Sequence, residues 1–434
     1  MRKLCFLLTL AVQVSAGGAC YAQQLSLSLE RMFVMADSMN TSIKAARLGV
    51  QEAEAGVKVA KNAMLPSIEA SLSASYNGDG YIMDRDFKNG FTAEIPSFGN
   101  NFKLEVSQVI YAGGAIKNGV EISEIGTELA VFNAEKNRNE VRFLIAGDYI
   151  ELCKLANQQR VLQENIKLAQ SLGEVMRSRV NNGTALKTDI TRIELLVKNL
   201  EYSSIQVDGA GRIVSRELAN SIGVDVDTKI IPADDFSSIA STVADITEAE
   251  ALDNSPAIKA ADAMVRMSEK QVAVAKSDRL PHVALFAGEY LNGPVVIEIP
   301  AIDKNFNYWA VGVGVSYKID NLYKSRKVVG KSKLAVAKSR EQLNMAREQI
   351  SLALSAAQTD YYNSFQLLET KMRSVELAKE NYNLVRCRYE EGLAVITDLL
   401  DASNQLLDAQ IQEVNARMNI AYNYYKLKYI SGII

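Results

Sequence analysis

The sequence predicts a mixed fold that combines long antiparallel α-helices, packed as coiled coils, with two pairs of amphipathic β-strands in a membrane. The seven prolines leave residues 97–231 and 301–434 free of proline, and such runs permit very long helices because proline breaks helix interiors. Two pairs of short stretches alternate apolar and polar residues with the period of a β-strand. The same order of patterns occurs twice along the chain.

Composition and charge exclude several classes of protein. The 434 residues are 48% hydrophobic and 23% charged, which is too apolar for a disordered chain and too polar for a bundle of membrane helices. The net charge of −3 disfavours nucleic-acid binding. One histidine, His282, and four cysteines leave little for metal or nucleophilic chemistry. We therefore predict a protein that is not an enzyme and holds no metal or cofactor.

Residues 1–22 have the pattern of a signal peptide for export. Two cations precede an apolar core over residues 4–14, which is too short to span a bilayer, and small residues then mark a cleavage site. A rival interpretation makes Cys20 the acylated first residue of a lipoprotein, but Gly17 stands where such signals carry a leucine-like residue. Beyond the signal no run of about 18 apolar residues exists, so we expect only strands to cross a membrane.

The rest of the chain is an internal duplication. Residues 43–46 recur as residues 258–261, a shift of 215, and further along the shift becomes 209. We therefore predict a first structural repeat at 23–240 and a second at 241–434, each with a helix, a β-hairpin and a long helical hairpin. The residues that recur at the second shift are Arg177, Arg179, Gly183, Thr188 and Asp189, which correspond to Arg386, Arg388, Gly392, Thr397 and Asp398.

Each repeat opens with a helix and a pair of strands. Apolar or small residues recur every three or four positions from Ile43 to Met64 and from Ile258 to Ala275, the period of a coiled-coil seam. A Leu-Pro pair then ends the helix, because the residue before proline is pushed out of the α region. The alternating stretches that follow are residues 67–76 and 102–110 in the first repeat, and 283–287 and 308–319 in the second.

The predicted strands are long enough to cross a bilayer at a tilt, with about 9–11 residues each. Trp309 and Tyr317 share the apolar face of the last strand, about 27 Å apart, which suits an aromatic girdle at each membrane interface. A strand of a soluble sandwich with two aromatic core residues is the alternative. The export signal, and a polar face made of small residues, favour the membrane.

Four such strands cannot close a barrel within one chain, since known transmembrane barrels begin at about eight strands. Open edges in lipid would leave backbone groups unsatisfied, at several kcal/mol each. We therefore predict a transmembrane β-barrel shared between chains, with four strands per chain. Two chains would give a barrel filled by side chains, and three would give one wide enough for a pore.

A long helical hairpin follows each strand pair. The first covers about 114–222 with an interruption near Gly183, and the second covers 323–430 with an interruption near Gly392. Each antiparallel arm of about 65 residues would reach about 100 Å at 1.5 Å per residue. Rods of that length beneath a membrane barrel indicate a conduit across a periplasm.

These features together resemble the TolC-like outer-membrane efflux proteins. The resemblance lies in Leu27–Glu30, in Ile43–Ala46, in the Leu-Pro pair before each strand pair, and in the pattern from Tyr389 to Ala402. It implies a homotrimer with a twelve-stranded outer-membrane barrel and a twelve-helix periplasmic tunnel, serving as the exit duct of a tripartite efflux pump or a type I secretion system. The implied partners are a periplasmic adaptor protein and an inner-membrane transporter of proton-driven or ABC type.

The resemblance also implies roles for residues near the helical turns. Asp189 and Tyr389 match positions that close the periplasmic aperture, whereas Ala394 stands where the family has a linking arginine. Asp398 and Asp401 match aspartates that ring the lumen; first-turn helix carboxylates favoured by the dipole are the alternative for both. The implied adaptor-docking tips are Asn182, Gly183 and Thr184 in the first repeat, and Glu391, Gly392 and Leu393 in the second.

A second function also fits these patterns, that of a periplasmic coiled-coil adaptor or scaffold of a transport complex. Adaptors also carry long antiparallel helices, but they have one hairpin and β-sandwich or lipoyl-like domains rather than two matched copies with strand pairs. A detergent requirement for extraction would support the channel, and release by osmotic shock would support the adaptor. For a channel, a wide aqueous tunnel selects weakly, so the choice of substrate would lie in the transporter.

Overall fold

A computed structural model describes the chain at residues 24–234, 236 and 246–434. The predicted signal peptide, with Cys20, and the predicted boundary between the repeats lie outside these described residues. The described chain forms two compact units, and each takes segments from both halves of the sequence. The first unit contains the described parts of Met1–Lys44, Arg138–Thr247 and Ala353–Ile434, and the second contains Ala45–Asn137 and Glu248–Leu352.

Helices account for most of the described chain. None of the described helices is long and apolar enough to cross a membrane. The helices are α1 (Leu29–Met39), α2 (Thr41–Lys61), α3 (Ala115–Asn181), α4 (Lys187–Ser221), α5 (Glu248–Asn254), α6 (Pro256–Ser277), α7 (Asn321–Glu390) and α8 (Ile396–Ile430). The strands are β1 (Gln24–Leu27), β2 (Ser67–Tyr76), β3 (Gly80–Ile82), β4 (Phe91–Ala93), β5 (Phe98–Ala112), β6 (Lys229–Pro232), β7 (His282–Gly293) and β8 (Phe306–Ser316).

The two helical hairpins are confirmed, but their arms differ in length. α3 has 67 residues and α7 has 70, so each extends about 100 Å. α4 and α8 have 35 residues each, so the expectation of about 65 residues for each arm was wrong for these two helices. α4 is followed by Gly223 at a φ of 72°, where a Cβ would lie 2.7 Å from the Cβ of Met39. Only glycine fits this turn, and the chain leaves the helical direction there.

Helix α3 packs against different helices along its length, and this explains why the returning helix α4 is short. In the first unit α3 packs against α4 through the buried side chains of Leu162, Ala169 and Leu200. In the second unit α3 is linked to the opening helices of both repeats. There Glu124 forms an ion pair with Lys61 of α2 at 3.4 Å, and Glu128 forms one with Arg266 of α6 at 2.5 Å. α4 therefore has to cover only part of α3.

The second unit contains one antiparallel sheet of the four predicted strands, in the order β2-β5-β7-β8. The predicted positions of all four strands are confirmed. β2 and β8 each have a single partner in this sheet, so each leaves one edge unpaired. All ten residues of β2 are exposed.

The register of the sheet gives it one mostly apolar face, which Glu289 interrupts between Leu104 and Trp309. Directly opposite residues of paired strands point to the same side, and Leu72 lies opposite Phe102, Phe102 opposite Leu291, and Leu285 opposite Val313. The other side carries small, polar and aromatic residues, among them Phe286, Tyr290 and the ion pair of Lys103 with Glu105 at 2.6 Å. The predicted division of β2, β5 and β8 into an apolar and a polar face is thus confirmed. The residues of β8 on the apolar face are Asn307, Trp309, Val311, Val313 and Val315.

The first unit is built around a buried tyrosine that fastens a parallel pair of strands, β1 and β6, which the sequence patterns did not predict. The hydroxyl of Tyr149 on α3 donates to the carbonyl oxygen of Leu27 at 2.8 Å and accepts from the N–H groups of Ala233 at 3.0 Å and Asp234 at 3.1 Å. Burial raises the pKa of Tyr149, so the hydroxyl keeps its proton and remains a donor. Helix α3 is thereby tied to the ends of both short strands.

Candidate functional site

The two helical hairpins end in turns of the same construction, both in the first unit. The chain reverses at Gly183, with φ of 73°, and at Gly392, with φ of 74°. In each turn the N–H group after the glycine donates to the carbonyl oxygen five residues back, at 2.9 Å for Thr184 and 2.7 Å for Leu393. This is a Schellman cap, which satisfies the last carbonyl groups of the helix and requires the left-handed backbone that glycine adopts easily.

The residues predicted as docking tips are all exposed on these turns: Asn182, Gly183 and Thr184 on one, and Glu391, Gly392 and Leu393 on the other. Leu393 is 71% exposed, which is unusual for a leucine at a helical turn. A Cβ built at either glycine would meet nothing within 4 Å. The turns therefore present open, accessible surface.

Asp189 and Asp398 occupy equivalent positions in the two hairpins, where they cap the returning helices. The carboxylate of Asp189 accepts from the N–H group of Leu186 at 3.2 Å, and that of Asp398 accepts from Val395 at 3.3 Å. A carboxylate at this position satisfies an otherwise unpaired donor and lies at the positive end of the helix dipole. Each of these aspartates therefore has a structural role, whatever else it does.

Asp398 and Asp401 lie three residues apart on α8, so their side chains are neighbours on the helix surface. Both are exposed. Asp401 accepts a hydrogen bond from the side chain of Gln405 at 2.8 Å, one turn further along the same helix. Leu399 and Ala402 point into the protein interior from the same turn. The two carboxylates are thus free to face solvent or a pore.

Tyr389 joins the two hairpins. Its hydroxyl donates to the sulfur of Met176 on α3 at 3.3 Å, and the guanidinium carbon of Arg179 lies 5.5 Å from the centre of its ring. Arg179 also donates to the carbonyl oxygen of Glu390 at 3.3 Å. Burial and the nearby Asp189 carboxylate raise the pKa of Tyr389, while Arg179 acts in the opposite direction. Asp189 and Tyr389, predicted to act together, are therefore close in the fold.

A buried apolar cluster holds the four helices together beside the turns. It takes Met176 from α3, Ile193 from α4, Tyr382 from α7, and four residues of α8. Met176 and Leu399 are fully buried. The four residues of α8 in the cluster are Ile396, Leu399, Ala402 and Leu406.

The structure adds Arg179 to the predicted site. The sequence patterns identified it only as a repeat match of Arg388, and the alanine at Ala394, where the family has an arginine, predicted a closure that is incomplete or differently built. In the fold Arg179 supplies a guanidinium to Tyr389 from the first hairpin instead. One signal in the sequence could have identified Arg179. It is a cation four residues before a turn glycine, near the negative end of a long helix.

Other groups that could carry chemistry lie apart from these turns or make no cluster. Among the residues that the structure describes, no group of three or more His, Cys, Asp or Glu side chains is arranged to hold a metal ion. His282 is exposed at the start of β7. Cys153 is buried and Cys387 is exposed, and the two form no disulfide with each other.

Comparison with known proteins identifies the family of this arrangement. The model of the family described as outer membrane efflux protein matches residues 34–224 and 249–432. The chain belongs to this family. One matched segment falls in each of the two predicted repeats. Family membership places the protein in the bacterial outer membrane, extending into the periplasm, as an exit duct of efflux systems.

Two named relatives and a solved structure are similar to most of the chain. It is 23% identical over 400 residues to nodulation protein T of Rhizobium leguminosarum bv. trifolii, covering 91% of this chain and 83% of the relative. It is 21% identical over 407 residues to the pyoverdine export outer membrane protein OpmQ of Pseudomonas putida, with the same coverage of 91% and 83%. The structure of the CmeC outer membrane channel of Campylobacter jejuni shares the fold, with a TM-score of 0.77, 15% identity, and coverage of 99% of this chain and 94% of that one.

Proposed function

We propose that three copies of this chain form a passive exit duct through the outer membrane, closed at its periplasmic end when at rest. The observation that carries the proposal is the four-stranded sheet, which has a mostly apolar face and an unpaired edge on each side. In lipid, unpaired backbone groups cost several kcal/mol each, so both edges need partners from other copies. Three copies give twelve strands, which enclose a pore.

Aromatic side chains support the position of the sheet in the membrane. Trp309 is 77% exposed on the apolar face of β8, and Tyr317 is exposed just beyond the end of that strand. Tyrosine and tryptophan concentrate at the two boundaries of a bilayer. We assign these two residues to the two lipid-facing aromatic girdles.

The periplasmic aperture is assigned to the helical turns. Asp189, Tyr389 and the added Arg179 join the hairpins of the two repeats, and the buried cluster beside them keeps the hairpins packed. Asp398 and Asp401 are assigned to the wall of the pore, where three copies would place two rings of carboxylates. Such rings attract cations.

We assign the exposed turns to docking of the periplasmic adaptor protein. The adaptor would connect the duct to an inner-membrane transporter of proton-driven or ABC type. The relative named for pyoverdine export favours a tripartite pump for small molecules over a type I secretion system. An adaptor function for the chain itself is disfavoured by the family match and by the amphipathic four-stranded sheet.

The oligomeric state tests the proposal most directly. The chain, extracted from outer membranes in detergent and analysed by native mass spectrometry, is expected to appear as trimers, because a folded monomer would leave β2 and β8 unpaired in a hydrophobic environment. A dominant folded monomer would contradict the shared barrel. Release of the chain by osmotic shock without detergent would instead support the adaptor.

The carboxylate rings can be tested by neutral substitution. Asp398→Asn with Asp401→Asn keeps an acceptor for the Val395 N–H group, so the helix cap survives while the charges are removed. In planar-bilayer recordings we expect the double variant to lose cation preference and block by multivalent cations from the periplasmic side. Asp225→Asn with Asp227→Asn is the matched control, since it removes two exposed charges after α4. Unchanged cation preference in the first variant would place the gate elsewhere.

A further inference from the structure

The helical end of the membrane sheet carries a cluster of cations on one repeat only. Residues 318–333, which follow β8 into α7, contain six Lys or Arg and one Asp, although the chain as a whole has a net charge of −3. Lys324 forms an ion pair with that acid, Asp320, at 2.7 Å. We call the five other cations the basic collar. They are Lys318, Arg326, Lys327, Lys331 and Lys333.

The basic collar is exposed and has no counterion among the residues that the structure describes. All five side chains lie on the surface of the second unit. None of them forms an ion pair with any residue in the described ranges. A run of like charges repels itself and destabilises a helix slightly, so it is expected where an external partner compensates the charge.

The first repeat shows that the fold does not need these cations. The stretch at the equivalent place after β5, residues 109–124, contains one Lys and two Glu. Both glutamates there form ion pairs within the chain, Glu121 with Lys270 at 2.5 Å and Glu124 with Lys61 at 3.4 Å. The same strand-to-helix connection is therefore built with the opposite charge, which indicates that the basic collar serves a partner.

The position of the basic collar fits the surface of the bilayer. α7 begins at Asn321, five residues after the end of β8. At 1.5 Å per residue, Arg326 lies about 8 Å, Lys327 about 9 Å and Lys331 about 15 Å along the helix from its start. The polar headgroup layer is roughly 5–7 Å deep, and charges act across about 8 Å of physiological solution. Long cationic side chains can extend back toward the surface.

We propose that the basic collar binds the phosphate groups of anionic phospholipids in the periplasmic leaflet of the outer membrane, fixing the depth and tilt of the sheet in the bilayer. This inference rests on the proposed function, because it requires the sheet to span the membrane. Exposed Tyr323, two residues into α7, adds an aromatic side chain of the kind found at such interfaces. Clusters of Lys and Arg beside a membrane-spanning segment are the general means of recognising anionic lipid.

The chain's single tryptophan allows a direct measurement. Trp309→Phe with Tyr323→Trp moves the only indole next to the basic collar. The full chain with these two changes is reconstituted as its oligomer in vesicles that contain both phosphatidylcholine and phosphatidylglycerol. In one preparation only the phosphatidylcholine is brominated, and in the other only the phosphatidylglycerol, so that quenching of the indole by each lipid can be compared. We expect the quenching to show a preference of at least about fivefold for phosphatidylglycerol, which weakens in high salt.

Charge variants distinguish lipid binding by the basic collar from a general electrostatic attraction between the protein and anionic lipid. Arg326→Gln, Lys327→Gln and Lys331→Gln together are expected to reduce the preference to less than about twofold. The matched control is Lys44→Gln, Lys167→Gln and Lys379→Gln, which removes as much charge from the other unit and should keep the preference. Lys327→Arg with Lys331→Arg should also keep it, which guards against a folding defect in the glutamine variant.

Three results would overturn the proposal. Equal quenching of the indole by the two brominated lipids, in the protein whose basic collar is unsubstituted, would show that the basic collar does not select anionic lipid. A glutamine variant that dissociates in detergent would show that the cations instead contact a second copy of the chain. An indole that neither brominated lipid quenches would show that the sheet lies outside the bilayer, and the proposed function would fail with the inference.

Discussion

Val313→Arg is expected to abolish assembly of the protein in the outer membrane. Val313 is 63% exposed on the apolar face of the sheet, opposite Leu285 of β7, and the proposed function places this face against lipid. An arginine near the middle of the bilayer costs about 2–4 kcal/mol on the lipid face of a barrel. Three copies carry this cost in one barrel, which is comparable with the whole stability of a typical domain. The measurement is the amount of trimer recovered from outer membranes.

Gly314→Arg is the matched control, because it introduces the same side chain one residue further along on the opposite face. A Cβ at Gly314 would meet nothing closer than the carbonyl oxygen of Ala284 at 3.9 Å, so there is room for a side chain. Gly312 is unsuitable for this purpose, since a Cβ there would lie 2.6 Å from the ring of Phe286. We expect the control to assemble. Equal loss of trimer in both variants would contradict the assigned faces.

Leu399→Ala is expected to open the periplasmic end of the duct while leaving the sheet intact. Leu399 is fully buried in the cluster beside the turns, together with Met176 and Ile193. Truncating a leucine in such a position leaves a cavity and costs about 2–5 kcal/mol of stability. The hairpins of the two repeats would pack less tightly, so resting conductance in planar bilayers should rise and amide hydrogen exchange near the turns should accelerate.

Leu393→Ala gives the comparison for this variant. Leu393 is exposed on the turn that precedes α8, so its truncation removes the same atoms without creating a cavity. We expect stability and resting conductance to remain as in the unsubstituted protein, and binding of the adaptor to weaken. A Leu399→Ala channel with normal resting conductance would show that the cluster does not maintain closure.

Local patterns were sufficient for most of the fold. The seams of α2 and α6 were visible because helical period is a property of neighbouring residues, and their seam residues are the less exposed ones. The turn glycines were visible because a left-handed backbone favours one residue type. The short strands β1 and β6 escaped prediction, since four residues carry too little pattern and their pairing depends on Tyr149, more than one hundred residues from Leu27.

The sequence alone predicted two copies of one design. It also determined which residues of β2, β5 and β8 share a face and where the long helices turn, because periodicity, glycine and proline act locally. Only the tertiary structure decided the register that joins the four strands into one mostly apolar face. It also decided the change in the partners of α3, with which α4 has 35 residues against 67 in α3, and the approach of Arg179 to Tyr389. These features depend on contacts between residues far apart in the chain, such as the hydrogen bond from Arg179 to Glu390, 211 positions away. Such contacts follow from packing and hydrogen bonding in three dimensions, which no local period encodes.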